Sequence, residues 1–382
     1  MKILRVLPLV LCLLGISSFA SAQTPLTPEI EVSSAEPGFD ILEFDAAMNA
    51  RGDFVVLWSG LRPAPPGTLA PALFVRGFAA DGTPRTEAIL VSEEPASANY
   101  HSAVAIRDDG TFLAVYKGGG PDGPSRLKGR LFAPDGTPLG DVFPVTNSFF
   151  AGAVSVAPRE DGGFIVAWTD IGQVAYRLLS PEGERVGPER ALGFGAEASV
   201  AAGPGNEMVV VWQNWNPENA ALQAVTVQRL RPDGTRRGRK LFVSQQRLQR
   251  RNSIILPEAA FDSAGKLLVR WSDWGAWIRR YSEGGAALGR IRQLPDGAPS
   301  SGIVMDDQGN FTLARVLSRP NGSVQDLVVQ RFHQEGFPLG PAVYVTSSWS
   351  IWDSAIVGNE AGDLVLLWTR DTHIRAKVFS AE

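Results

Sequence analysis

The sequence predicts an all-β protein: a seven-bladed β-propeller, four antiparallel strands per blade, with the ring closed by the N-terminal strand completing the last blade. Three observations predict it. A glycine leading through an apolar run to an aromatic six residues on recurs along the chain, an Arg-containing run with its own glycine turn follows each copy, and the last copy stops one strand short.

The first motif runs from Gly52 through DFVVL to Trp58. It recurs from Gly110 to Tyr116, Gly162 to Trp168, Gly265 to Trp271 and Gly362 to Trp368. Gly205 leads to Trp212 with one extra residue, and Gly309 opens a degenerate copy, NFTLAR, with Arg315 in the aromatic position. These seven copies lie about fifty residues apart. Asp-Gly pairs such as Asp109-Gly110 and Asp135-Gly136 supply the positive φ that tight hairpin turns need, so each motif reads as a hairpin.

The second motif is VRGFAADGTP from Val75, KGRLFAPDGTPLG from Lys128, AYRLLSPEGERVG from Ala175, VQRLRPDGTRRG from Val227, IRRYSEGGAALG from Ile278 and VQRFHQEGFPLG from Val329. The seventh, HIRAKVFSAE from His373, ends before its turn. Two hairpins in about fifty residues are the signature of a propeller blade. The missing strand resembles PEIEVSS at 28–34, so the last blade is expected to combine 356–382 with 28–34. Closure removes an open sheet edge.

Second strands such as FVVLW and FIVAW are apolar without alternation, as strands buried on both faces require. The aromatics that end them are expected to wedge between blades. The repeated third-strand Arg is expected to brace blades through backbone carbonyls or a turn carboxylate. Hairpin geometry puts the tight glycine turns on one face. The longer connections at 59–70, 117–126, 213–222 and 318–326 fall on the other, where function concentrates.

The N-terminus places Lys2 and Arg5 before an apolar run, then Ala20-Ser21-Ala22. Residues 1–22 therefore read as a secretory signal peptide cleaved after Ala22, and 23–382 as a single propeller domain, secreted or periplasmic. Cys12, the one cysteine, follows Leu11 inside the apolar run, which disfavours a lipid anchor. An exported chain without disulfides must rely on its core. With Lys2 and Arg5 removed, the formal charge of −4 becomes −6, which argues against nucleic-acid binding. No segment is long and apolar enough for a membrane span, and a monomer is expected.

Chemistry-bearing signatures are sparse. His101, His333 and His373 form no metal spacing, and no Walker, dinucleotide, calcium-loop or nucleophile-elbow motif is present, so no cofactor or metal is expected. Gly118, Gly119 and Gly120 form a loop that no helix follows, so they are not a phosphate cradle. Aromatics recur shortly before first strands: Phe39, Tyr100, Phe149, Phe150, Phe194, Trp352 and nearby Trp349, with Asp40, His101 and Asp353 as polar companions. In a ring they circle the channel mouth, either plugging it or forming a ligand platform. The candidate ligand-binding set is Tyr100, His101, Phe150, Trp352, Asp353 and Trp215, with His101 and Asp353 a candidate base and orienter. Blade four is basic, and Arg247, Arg250 and Arg251 are its candidate anion-binding residues.

The pattern G-x-F-V-V-x-W, met at Gly162 to Trp168, followed by R-x-F-x-x-D-G-x-P-L-G, met at Arg130 to Gly140, resembles repeats of secreted bacterial β-propeller proteins, most without assigned activity. The resemblance covers nearly all of residues 23–382 and implies a scaffold and an extracytoplasmic address, not a reaction. The WD-repeat type does not fit, because here the repeated Trp closes the second strand. The sialidase type does not fit either, since Asp262-Ser-Ala-Gly265 falls short of its S-x-D-x-G-x-T-W box. The expected function is a non-catalytic binding or scaffold protein holding a glycan, peptide or envelope partner on the long-loop face. The alternative is a glycan hydrolase or lyase with acids and His at the channel mouth, and a third reading is a passive envelope component.

Overall fold

The computed structural model describes residues 23–33, 39–64, 68–92, 101–119, 126–147, 152–170, 172–216, 219–247, 256–272, 275–295, 298–299, 302–319, 324–349, 351 and 353–380. Seven separate antiparallel sheets follow one another along the chain. Numbered in order, they are blades 1 (40–90), 2 (102–144), 3 (154–194), 4 (196–247), 5 (258–293), 6 (298–348) and 7 (354–380). The first strand of each blade is innermost and the fourth outermost. Pro204–Asn206, a single 3-10 turn, is the one helical element among the described residues.

The turns follow from their sequence. In DGT, Asp109 Oδ1 accepts the Thr111 N–H at 2.8 Å, and Gly110 at φ +89° donates back to the Arg107 carbonyl at 2.9 Å. This is a type I turn completed by a left-handed glycine, which a β-carbon would strain. Asp81, Asp135 and Asp233 accept the Thr two residues on in the same way.

Blade 7 is completed from the other end of the chain. Thr24–Pro25 pairs antiparallel with Ser380 and Phe379, and Ile30–Glu31 pairs with Ala376 and Arg375. Val32 extends the ladder by donating to the Ile374 carbonyl at 3.0 Å. The closing segment begins before residue 28 and is interrupted between its two short pieces. Arg375 fastens it further through Glu31 at 2.9 Å.

The core consists of seven apolar seams, one between each pair of neighbouring blades. The second-strand aromatic of every blade but blade 6 faces the preceding blade. Trp58 fills seam 7–1, Tyr116 seam 1–2, Trp168 seam 2–3, Trp212 seam 3–4, Trp271 seam 4–5 and Trp368 seam 6–7. Arg76, Arg130 and Arg279 tie the outer parts of adjacent blades. They donate to the carbonyls of Val32 (3.0 Å), Val91 (2.7 Å) and Val243 (3.1 Å), each at the outer strand of the preceding blade. Each guanidinium also lies over a ring of its own strand: Phe78, Phe132 and Tyr281.

Two of the expected irregular loops are β-structure. Strands Phe54–Ala64 and Thr68–Phe78 pair out to Ala64–Thr68, and Met208–Asn216 and Asn219–Leu230 do likewise. The prolines around 63–71 read as a loop in sequence, yet Pro63 and Pro71 are accommodated where the ribbon runs beyond its neighbours, since an edge position needs no donated N–H. Blade 6 departs the other way. Its first strand is split into Ala298–Pro299 and Val304–Met305, both paired with Phe311–Ser318.

Candidate functional site: the channel mouth

Innermost strands of adjacent blades are not laddered to one another, so they present backbone N–H groups to the channel without strand partners. Side chains of the preceding blade satisfy several of them. Asp45 Oδ2 of blade 1 accepts the Val104 N–H of blade 2 at 2.9 Å. Asp353 of blade 7 accepts the Phe44 N–H of blade 1. Ser155 Oγ of blade 3 accepts the Val200 N–H of blade 4 at 3.2 Å, and both oxygens of Glu258 in blade 5 accept the Gly302 N–H at 3.0 Å. Ser102 Oγ donates to Glu43 Oε1 at 2.9 Å. Each link runs from one blade to the next, so the same groups brace the ring and are held in fixed directions.

These groups sit near the beginning of their strands, on the long-loop side. The channel they border has a volume of about 480 Å³ and is otherwise walled largely by alanine and small aliphatic side chains. Asp45, Glu197 and Glu258 line it directly, and Glu43 and Asp353 adjoin Asp45. Burial among these small apolar groups penalises the charged carboxylate. It pushes Glu43 up to about 7, against the Ser102 hydrogen bond and with help from the Asp45 charge. It pushes Asp45 up to about 7, against the N–H groups of Val104 and Ala46 and with help from Asp353 and Glu258. Asp353 rises to about 6 and Glu197 rises as well, again through burial. His101 is held below its usual value by burial and then by the Lys117 charge.

Glu258 differs from the others because it carries a cation. Arg270 Nη2 lies 2.6 Å from Glu258 Oε2, and Arg270 is 1% exposed. Its Nε and Nη1 find no partner among the described residues. Gly302, at φ +99°, lies so close to the Ile356 carbonyl that a β-carbon would collide with it, so only glycine presents this N–H to Glu258.

Of the sequence-derived candidates, His101 and Asp353 are both at the mouth, but on blades 2 and 7, with blade 1 between them. Asp353 is engaged locally, accepting from Ser354 N at 2.8 Å through its carboxylate. Tyr100, Phe150 and Trp352, with Phe149, lie outside the described residues. Trp215 and Arg247 are placed by their backbones in Met208–Asn216 and Arg236–Arg247, their side chains outside the description, and Arg250 and Arg251 lie outside it altogether. Phe39 is not at the mouth surface: it is buried in seam 7–1, edge-on to Phe74 at 5.7 Å. Phe194 and Trp349 are exposed, Trp349 to 78%.

The basic run of blade 4 is largely spent on the fold. Arg237 pairs with Glu207 at 2.8 Å, Arg236 donates to the Ala191 carbonyl at 2.7 Å, and Lys240 donates to the Leu192 carbonyl while lying over Trp212. The acids Glu43, Asp45, Glu197 and Glu258 were not among the sequence candidates. Their signal is an acid at or before the small-residue start of a first strand, as in EFDAA, AEASVA and PEAAF. No three of the described His, Asp and Glu side chains are grouped to hold a metal ion.

No family model matches the chain, and no curated protein matches it. Solved structures do. A protein of unknown function from Dyadobacter fermentans aligns with a TM-score of 0.54 at 10% identity, over 94% of this chain and 98% of that one. The Dos1 propeller aligns with a TM-score of 0.52 at 12% identity, over 94% and 95%. An alpha-L-arabinofuranosidase from Fusarium graminearum aligns with a TM-score of 0.49 at 11% identity, over 75% and 96%. At these identities the likeness concerns the fold alone.

Proposed function

We propose that the protein is a secreted or periplasmic, non-catalytic binding propeller that holds a glycan, peptide or envelope partner over the channel mouth on its long-loop face. The observation that carries this reading is the ring of carboxylates locked by inter-blade N–H bonds. Asp45, Asp353 and Glu258 already hold backbone donors from the next blade. Such groups are preorganised to accept further donors, and Asp45 and Asp353, unlike Glu258, have no cation paired with them among the described residues. A ligand presenting amine or hydroxyl donors fits them, and an anionic one does not. The signal-like residues 1–22 and the cysteine-free remainder support the extracytoplasmic address.

A second reading, a glycan-active enzyme on the same scaffold, is favoured by one observation. Glu43 and Asp45 are pushed to about 7, the range a general acid needs. One experiment separates the two. The chain from Gln23 is incubated with neutral and amine-bearing oligosaccharides, and both retained ligand and released product are measured. Retention without product, weakened in E43Q and D45N, is the expected result. Product formation abolished by E43Q establishes the enzyme instead.

A further inference from the structure

We propose a binding site for a phosphoryl group on the opposite, tight-turn face of the ring, built by Arg280, Arg290 and Arg292 where the outer strands of blade 5 meet the last turn of blade 6. The site is a groove of about 210 Å³ bordered by these arginines, Gly289, Glu335 and Arg279, whose own guanidinium is engaged with the Val243 carbonyl and the Tyr281 ring. That volume suits one tetrahedral anion with its ester substituent, not an extended ligand.

The groove has a local structural cause. Ile278 pairs with Arg292 and Arg280 with Leu288, so Arg279 alone opposes three residues of the fourth strand, 289–291. The surplus forms a bulge at Gly289 and Arg290, and a bulge re-aims side chains. Arg290 and Arg292 are thereby brought to the same recess as Arg280. Two of the three are posed in advance. Arg280 Nη1 donates to Gln334 Oε1 at 3.0 Å, and the Arg292 guanidinium lies 4.0 Å from the centre of the Phe337 ring. Arg280 and Arg292 are half-buried, and Arg290 is exposed.

In the neighbouring blades the equivalent arginine is neutralised by a carboxylate. Arg229 and Arg331 stand at the position of Arg280 in blades 4 and 6, opposite Val209 and Thr312 as Arg280 stands opposite Leu268. Arg229 is paired with Glu207 and Arg331 with Asp306. None of Arg280, Arg290 and Arg292 pairs with a carboxylate among the described residues, although Glu335 borders the same groove. Three guanidinium groups against one carboxylate leave a balance of two positive charges, which a phosphate monoester dianion matches. Planar guanidinium forks suit phosphoryl oxygens bidentately.

The chain from Gln23 is titrated with inorganic phosphate by calorimetry at low ionic strength. In a second arm it is sedimented with phosphatidylcholine vesicles with and without phosphatidic acid, a phosphomonoester lipid. R290Q and R280Q are measured beside R239Q, an exposed blade 4 arginine outside the groove. Loss of one charge-assisted contact is expected to weaken phosphate binding about tenfold in R290Q and R280Q and to leave R239Q unchanged. Vesicle binding with the same dependence supports the site and identifies a lipid headgroup as the source; phosphate binding without vesicle binding supports it and identifies a soluble ester. No binding of either probe, or binding equally strong in R290Q and R280Q, overturns it. Arg290 is exposed, so an R290Q melt equal to that of the parent chain excludes misfolding as the cause.

Discussion

Seam 2–3 and seam 5–6 occupy the same place in the same repeat, yet they differ at the wedge position. In seam 2–3, Trp168 is fully buried among Leu113, Val115 and Leu127. In seam 5–6, the aromatic position holds Arg315, which donates to the Pro295 carbonyl at 3.3 Å and to Gln330 at 3.4 Å. The residue before the Trp of blade 5 is Arg270, where blade 3 has Ala167 and blade 7 has Leu367. Strand alternation turns both arginines toward the seam that Leu268 and Leu313 share. The first strand of blade 6 is split beside them. Seam 2–3 keeps its apolar wedge. The other gives up apolar area to bring Arg270 to Glu258 at the channel mouth. The repeat breaks its own rule at one place, next to the polar cluster of Glu258 and Arg270.

The largest effect is expected where a seam loses a whole strand. Deleting residues 23–33 removes both closing segments of blade 7 and exposes the sheet edge at His373–Ser380. A sharp fall in Tm is expected, and an unchanged thermal melt contradicts ring closure as a source of stability.

Next come the two seams themselves. Trp168→Ala removes a buried wedge and is expected to cost about 3–5 kcal/mol in chemical denaturation. Glu258→Ala is expected to cost a similar amount, about 3–5 kcal/mol, because it strands the Arg270 guanidinium inside the protein. Arg315→Met, by contrast, substitutes an apolar chain of comparable length and is expected to change stability by less than about 2 kcal/mol in either direction. If Arg315→Met proves as costly as Trp168→Ala, the two seams are equivalent and the contrast between them fails.

The smallest effect is electrostatic. Glu43, Asp45 and Asp353 have folded values of about 7, about 7 and about 6, above their ordinary ones. The folded chain therefore binds more protons than the unfolded one between about pH 4 and pH 7. Their contribution to stability is full below the ordinary carboxylate range and is lost as pH rises through 6 and 7. Tm measured at pH 8 and again at pH 5.5 should be higher at the lower value, and Asp45→Asn should flatten the difference. A slope of the opposite sign contradicts the assignment of burial as the dominant cause.

What the sequence makes legible here is what repeats. The step from Gly162 to Trp168 is local, and seven copies of it encode both blade number and the direction in which each aromatic wedges. The incomplete copy at His373 likewise points to residues 28–34, and the ladder to Ile30 and Val32 lies there. The mouth is legible only in part. Asp353 is visible as a polar residue ahead of a first strand, but its influence on Asp45 spans most of the chain, and only ring closure brings blades 7 and 1 together. Glu258 looks like an ordinary strand-start acid until Arg270, twelve residues on, turns inward to meet it. The ribbon at Phe54–Ala64 was masked by its prolines, which signal loops in sequence but are tolerated on an unpaired edge.

We propose that the carboxylates at the channel mouth form a binding surface. Paired oligosaccharides that differ only in carrying glucosamine or N-acetylglucosamine units test it most directly, with affinity measured for the parent chain and for D45N. Tighter binding of the amine-bearing oligomer by the parent chain is expected, with that preference lost in D45N while the melt is retained. Equal affinity for both oligomers, or a preference that D45N leaves intact, contradicts it.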